Sequence, residues 1–196
     1  MKIIVITPPD TVSDEIETIN RLFGLDLEIL HLRKPGYDSF ELEGLLRKID
    51  RRYHNRIMLH AHHHLVEQYQ LRGSHFPAAA RNERREYSNQ HCSTSCHNIE
   101  ELERFGADYE YLMVSPVFDS ISKPGYCAKI DTGELQEYIA RSGNHVVGLG
   151  GVDQRTLKML PRNCWGAAVL GEIWRHKTMS TRVRSLGRLK TIAEAI

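Results

Sequence analysis

The stretch Val146-Val147-Gly148-Leu149-Gly150-Gly151-Val152 decides how this chain is read. It opens as a short apolar run rich in β-branched residues, as expected of a strand buried on both faces. It then delivers two adjacent glycines just ahead of Asp153, where a helix is expected to start. Glycine lets bare backbone N–H groups approach an anion, and the start of a helix favours negative charge. One strand later Gly166-Ala167-Ala168-Val169-Leu170-Gly171 repeats the arrangement. Turns after the last two strands form the usual phosphate site of eight-stranded α/β barrels. The tandem therefore points both to that fold and to phosphate binding at Gly150, Gly151 and Gly171, although either glycine turn alone would be read simply as a turn former.

Working outward from this pair, short apolar runs alternate with amphipathic stretches along the whole chain. The expected strands are Lys2 to Thr7, Leu27 to Leu32, Arg56 to His60, Gly73 to Phe76, His91 to Ser95, Tyr109 to Ser115, His145 to Gly148 and Gly166 to Leu170. The fold class is therefore α/β, a (β/α)8 TIM barrel occupying residues 1–196 as a single domain. Between strands, Phe40, Leu42, Leu45, Leu46 and Ile49 form one helix face, and Val183, Leu186, Leu189 and Ile192 form another that covers the last strand. Asn98 and Glu101 have capping-box spacing, and Gly106 is placed to end that helix. The segment from Ala78 to Tyr87 is more charged than periodic and is read as a loop.

The composition is that of a soluble globular protein: 26 Lys+Arg stand against 25 Asp+Glu, which leaves no basic surplus to attract nucleic acid. The opening apolar run, Met1 to Thr7, breaks at Pro8-Pro9 and is too short for a signal peptide or a membrane span. Cys92, Cys96, Cys127 and Cys164 show no CxxC spacing, so a reducing cytoplasmic setting is expected, with no membrane or nucleic-acid partner.

Residues at strand ends converge at one mouth of such a barrel, which makes Arg33, Lys34, His60, His62, His75, Ser95, His97 and the loop Ser115 to Lys123 candidates for chemistry. The hydroxyls and lysine of that loop can donate to phosphate oxygens. Arg33 and Lys34 either hold a second anion or pair with helix carboxylates. His60, His62 and His64 would share a face, and so a transition metal, if the third strand ran on through them. A structural role is preferred for that run, because no carboxylate accompanies it and a helix can begin within it. A histidine is the natural proton carrier near neutral pH, and His31, His60, His75 and His97 stand at the right positions, though each taken singly is read as structural.

Together these pieces resemble the thiamine phosphate synthase family, including its TenI branch. The resemblance rests on Ile29-Leu30-His31-Leu32-Arg33, Ser95-Cys96-His97 with Glu100-Glu101, Gly106-Ala107-Asp108-Tyr109, Ser115-Pro116-Val117-Phe118 leading to Lys123, and Gly148 to Val152. It implies a barrel working in thiamine biosynthesis. Hydroxyethylthiazole phosphate would be held through Ser120, Ser122, Gly150 and Gly171, and an aminopyrimidine diphosphate gripped by Arg33, Ser95 and Lys123. The implied synthase reaction is loss of pyrophosphate and capture of the pyrimidine cation by the thiazole nitrogen, assisted by Mg²⁺, with catalytic roles falling on His31, Arg33 and Lys123.

Several positions depart from the synthase pattern. The two metal aspartates fall on Ala61 and near Ala80, His31 replaces a glutamine, and Pro35 replaces a lysine. Those changes are similar to the TenI branch, for which the resemblance implies a metal-free thiazole tautomerisation, yet the TenI catalytic histidine falls on Pro116. A catalytically silent thiazole-phosphate-binding regulator and a phosphosugar isomerase on the same barrel complete the alternatives. A homodimer is what the resemblance implies for assembly.

Overall fold

The computed structural model describes residues 1–87, 89–119 and 130–196. Its strands are β1 (Lys2–Ile6), β2 (Ile29–Leu32), β3 (Ile57–Leu59), β4 (Gly73–Phe76), β5 (His91–Cys96), β6 (Tyr111–Val114), β7 (Val146–Leu149) and β8 (Gly166–Val169). Each pairs in parallel with the next, and β8 pairs with β1 through Lys2↔Gly166 to Val5↔Val169, so the sheet closes into a barrel. All eight expected strands are present, and the (β/α)8 reading holds.

Alternation along each strand sorts its residues between two cores. Ile4, Ile6, Ile29, Met58, Tyr111, Met113, Val147 and Ala168 point inward and pack in the lumen. Val5, Leu30, Leu32, Leu59, Leu112 and Val169 point outward into the shell beneath the helices. At the amino-terminal end of the barrel, Trp165 stacks on Tyr111 with ring centroids 5.1 Å apart and on His145 at 5.1 Å. The lumen is thus plugged from below, and its polar contents face the opposite mouth.

The helices are α1 (Glu15–Gly24), α2 (Ser39–Leu46), α3 (Leu65–Gln68), α4 (Ile99–Phe105), α5 (Thr132–Ser142), α6 (Gly171–Trp174) and α7 (Met179–Glu194). The expected α7 face is present: Leu186 and Leu189 are fully buried, with Val183 and Ile192 packed beside them. On α2 the expected face is corrected at Phe40, which is 79% exposed, while Leu42, Leu45 and Leu46 face the core. The reciprocal capping box sits on that helix. Asp38 N–H donates to Glu41 at 2.9 Å and Glu41 N–H donates to Asp38 at 2.8 Å.

At α4 only half of the expected box forms. Asn98 accepts from the Glu101 N–H at 2.8 Å, but the Glu101 carboxylate turns instead to the His97 N–H and to Arg81. Gly106 ends that helix as expected, with right-handed backbone, φ −57°. A Cβ there would stand 2.0 Å from Asn144 Nδ2, so a side chain at this position would have to displace Asn144 from its bond to the Tyr138 hydroxyl. The helix expected at Asp153 is reduced to a 3-10 turn, Thr156–Met159, ahead of which the Asp153 carboxylate accepts from the Arg155 and Thr156 N–H groups. The segment read as a loop, Ala78–Tyr87, is also 3-10 and buries no side chain.

Candidate active site

Past the end of β2 stand two adjacent basic residues that the fold treats oppositely. Lys34 turns toward α1, its Nζ donating to the carbonyls of Pro8 and Asp10 and pairing with Glu15 at 2.7 Å, with both side chains almost wholly buried. It is a structural cation. For Lys34 the helix-carboxylate reading holds and the anion-binding reading is corrected. Arg33 is tied only by its backbone, whose N–H donates to Thr7 Oγ1 at 2.8 Å and whose carbonyl accepts from the same hydroxyl. Among the described residues no carboxylate pairs with its guanidinium, which stands half-buried near His60 and His75.

Three histidines from three consecutive strand ends meet in the lumen: His31 of β2, His60 just past β3, and His75 of β4. His31 Nδ1 lies 2.9 Å from His60 Nε2, and His31 Nε2 lies 2.6 Å from the Tyr111 hydroxyl. His75 is held at both nitrogens, by Ser93 Oγ at 2.8 Å and Ser95 Oγ at 2.9 Å. The His60 and His75 rings are 4.3 Å apart, centroid to centroid. The result is a polar layer running from Tyr111, deep in the barrel, to His60 at its rim.

Burial is the main force on this layer. It drives the His31 and His60 pKa values well below the usual imidazole range, and takes His75 down to about 3, with neighbouring histidines adding to the effect and Arg33 adding to it at His60 and His75. Burial likewise raises the Tyr111 phenol above its ordinary value. At neutral pH the layer is therefore a set of neutral imidazoles beside a neutral phenol, each with a lone pair or a hydrogen to offer.

The histidine run itself is dispersed, because β3 stops at Leu59 and the alternation does not continue. His62 takes a left-handed turn, φ 53°, and contacts the Tyr37 carbonyl, while His64 faces Ser39 on the outside. The metal reading of His60, His62 and His64 as one set is corrected accordingly. His63 packs between Phe76 and Tyr87, and its Nδ1 is buried without a hydrogen-bond partner. His97, also a candidate, is exposed and bonded to the Ser115 carbonyl, away from the lumen group.

His63 offers a direct test of this picture. Burial, helped by His62 and His64, lowers its pKa to about 4, whereas an unfolded chain protonates histidine below about 6.5. Stability that is complete above about pH 6.5 is then lost progressively as the pH falls toward 4, because the unfolded state binds the proton first. His63→Leu is expected to flatten the dependence of melting temperature on pH across that window. A curve parallel to that of the parent protein would show that His63 is not held neutral.

The glycine turns lie where expected, past β7 and β8. Gly150 and Gly151 have φ of 94° and 64°, and a Cβ on Gly151 would stand 2.5 Å from the Asp119 carbonyl oxygen. Here the absence of a side chain lets the β6 and β7 loops touch, and Val117 and Phe118 N–H groups donate across to the Leu149 and Gly150 carbonyls. Gly171 opens α6 at the same mouth. Ser120, Ser122 and Lys123 lie outside the described residues. Ser95 is present, bonded to His75. A surface groove of about 680 Å3 beside Asn20, Arg47, Asp50, His54 and Tyr69 lies on the outer helices and shares no residue with the mouth.

Magnesium needs oxygen ligands in near-octahedral array. Where the synthase pattern has its carboxylates, this chain carries Ala61 and, in the 3-10 segment after β4, Ala80. Among the described residues the one group of three close metal donors is the imidazole set. The residues present do not fit a magnesium site. Arg81, which sequence reading passed over, braces this rim: its guanidinium bonds Thr94 Oγ1, the Ser95 carbonyl and Glu101, and lies 4.1 Å from the Phe105 ring.

The family model described as thiamine monophosphate synthase matches residues 3–173. Among solved structures, the chain is similar to a thiamine phosphate pyrophosphorylase from Bacteroides thetaiotaomicron, at 32% identity and TM-score 0.84, covering 99% of this chain and 98% of that one. It is also similar to a thiamine phosphate pyrophosphorylase from Pyrococcus furiosus, at 15% identity and TM-score 0.82, covering 99% and 96%. A 3-hexulose-6-phosphate synthase shares the fold at 13% identity and TM-score 0.65, covering 98% and 99%. No curated protein matches. Among the described residues no helix is long and apolar enough to cross a membrane.

Proposed function

The chain belongs to the thiamine monophosphate synthase family, and from that footing we propose that it binds hydroxyethylthiazole phosphate at the barrel mouth and joins it to an aminopyrimidine diphosphate with release of pyrophosphate. The observation that carries this reading is Arg33, a cation at the mouth with no carboxylate partner among the described residues, in a chain 32% identical over its length to a thiamine phosphate pyrophosphorylase. The bond from the pyrimidine methylene carbon to the diphosphate oxygen breaks, the electron pair leaves with pyrophosphate, and the thiazole nitrogen supplies the pair for the new bond. The Arg33 guanidinium, with its planar fork of donors, neutralises the departing oxygens. Ser95 and, from the loop beyond the described residues, Lys123 complete the grip, and the turns at Gly150, Gly151 and Gly171 with Ser120 and Ser122 hold the thiazole phosphate. In place of a family magnesium ion, these cationic side chains carry the charge.

One observation favours a second reading, the tautomerisation of a thiazole carboxylate phosphate. That reaction removes a proton from carbon and returns one elsewhere, and His31, His60 and His75 meet in the lumen with His31 bonded to both His60 and Tyr111, so that the linked rings offer lone pairs and N–H groups through which a proton can pass. The test incubates purified protein with both synthase substrates and, separately, with the thiazole carboxylate phosphate tautomer. Thiamine phosphate in the first mixture is the expected result. Aromatised thiazole in the second, with none in the first, would replace the synthase reading by the tautomerase. Protection against heating by thiazole phosphate without any product would leave a silent binder.

A further inference from the structure

From the convergence of His31, His60 and His75 in the lumen we infer a binding site for one divalent transition-metal ion of the zinc type, coordinated by three imidazoles. One nitrogen from each ring already lies within 4.8 Å of the other two. Tetrahedral coordination at Zn–N distances of about 2.0–2.1 Å sets neighbouring nitrogens about 3.3 Å apart. The His31 Nδ1 to His60 Nε2 separation, 2.9 Å, must open slightly, and His75 must close on the pair.

The outer contacts suit this arrangement. A metal-binding imidazole ordinarily donates its second ring N–H to a fixed partner. His31 has the Tyr111 hydroxyl at Nε2, which leaves Nδ1 for the ion, and His75 has Ser93 at Nδ1, which leaves Nε2. The ion then displaces the Ser95 hydroxyl from His75 Nε2. Neutral imidazole suits zinc, cobalt, nickel and copper, whereas a hard ion such as magnesium is refused. Tyr111 and His31 close the site below, and the half-exposed His60 leaves a fourth position open toward the mouth. Arg33 stands near that opening, so the fourth ligand is an anion or hydroxide that offsets its charge. The inference does not depend on which reaction the barrel performs.

The experiment titrates chelator-treated full-length protein with Co²⁺, read by the visible absorption of a tetrahedral ion, and then displaces the Co²⁺ with Zn²⁺. One ion per chain is expected, unaffected by excess Mg²⁺. His60→Asn, at the rim, and His75→Asn should abolish the tetrahedral spectrum while leaving the circular dichroism of the fold unchanged. Tyr111→Phe should weaken binding about 10- to 100-fold by freeing the His31 ring. His62→Asn and His64→Asn should bind as the parent does. Absence of a tetrahedral spectrum in the parent, or its survival in folded His60→Asn protein, overturns the site. Loss with His62→Asn or His64→Asn overturns the assignment to these three residues.

Discussion

Replacing Lys34 by methionine is expected to destabilise the barrel by about 3–5 kcal/mol, because it leaves the Glu15 carboxylate buried without its counter-charge. Methionine keeps most of the apolar stem, so the loss is chiefly electrostatic and of hydrogen bonds: the Pro8 and Asp10 carbonyls lose their donor too. In a chain of this size the melting temperature should fall by roughly 6 to 20 °C. The double variant Lys34→Met with Glu15→Gln should recover part of that loss, since no unpaired charge remains. A fall of less than about 1 kcal/mol for the single variant would mean that water reaches the pair and that it behaves as a surface bridge.

Replacing Arg33, one residue earlier, is expected to do the reverse: little to stability and much to turnover. Its side chain contributes no hydrogen bond or ion pair among the described residues, so truncation removes little that holds the fold. If it stabilises the departing diphosphate, Arg33→Ala should lower formation of thiamine phosphate by about 100- to 1,000-fold, the usual cost of one preorganised donor at a developing anion. Arg33→Lys, which keeps the charge but loses the fork, should fall between. The measurement is kcat/KM for the diphosphate substrate, with melting temperature as the control. Unchanged turnover in Arg33→Ala would remove the residue from the leaving-group site and shift the balance toward the proton-transfer reading.

These two neighbours show how far sequence reading reaches. The alternation of apolar runs with amphipathic stretches located every strand, because a parallel sheet covered on both faces demands continuous hydrophobic runs. Two adjacent residues just past a strand can, however, turn to different sides, and sequence alone left open which base meets a carboxylate. The histidines carried a stronger signal than their crowding suggested. Leu30 and Leu32 face the helices, so the interleaved His31 must face the lumen, and His75 joins it by the same alternation, while His60 reaches the group from the first position past β3. Proximity along the chain drew attention instead to His62 and His64, which lie past the end of β3 where strand periodicity no longer applies. Which strand ends share a layer depends on barrel register, a property of the closed sheet that no single strand encodes.

The seam where the barrel closes has a consequence for how the chain reaches this state. β1 is flanked by β2, which follows it directly, and by β8, which lies some 164 positions away. Contacts on either side of the seam are equally remote: Trp174 donates to the Ile6 carbonyl, and Arg182 of α7 to the Ser13 carbonyl. The pairing on that side of β1 cannot form until β8 is available. Closing the seam therefore joins the two strands most distant in sequence, and it is the pairing with the greatest loop-closure cost in the sheet.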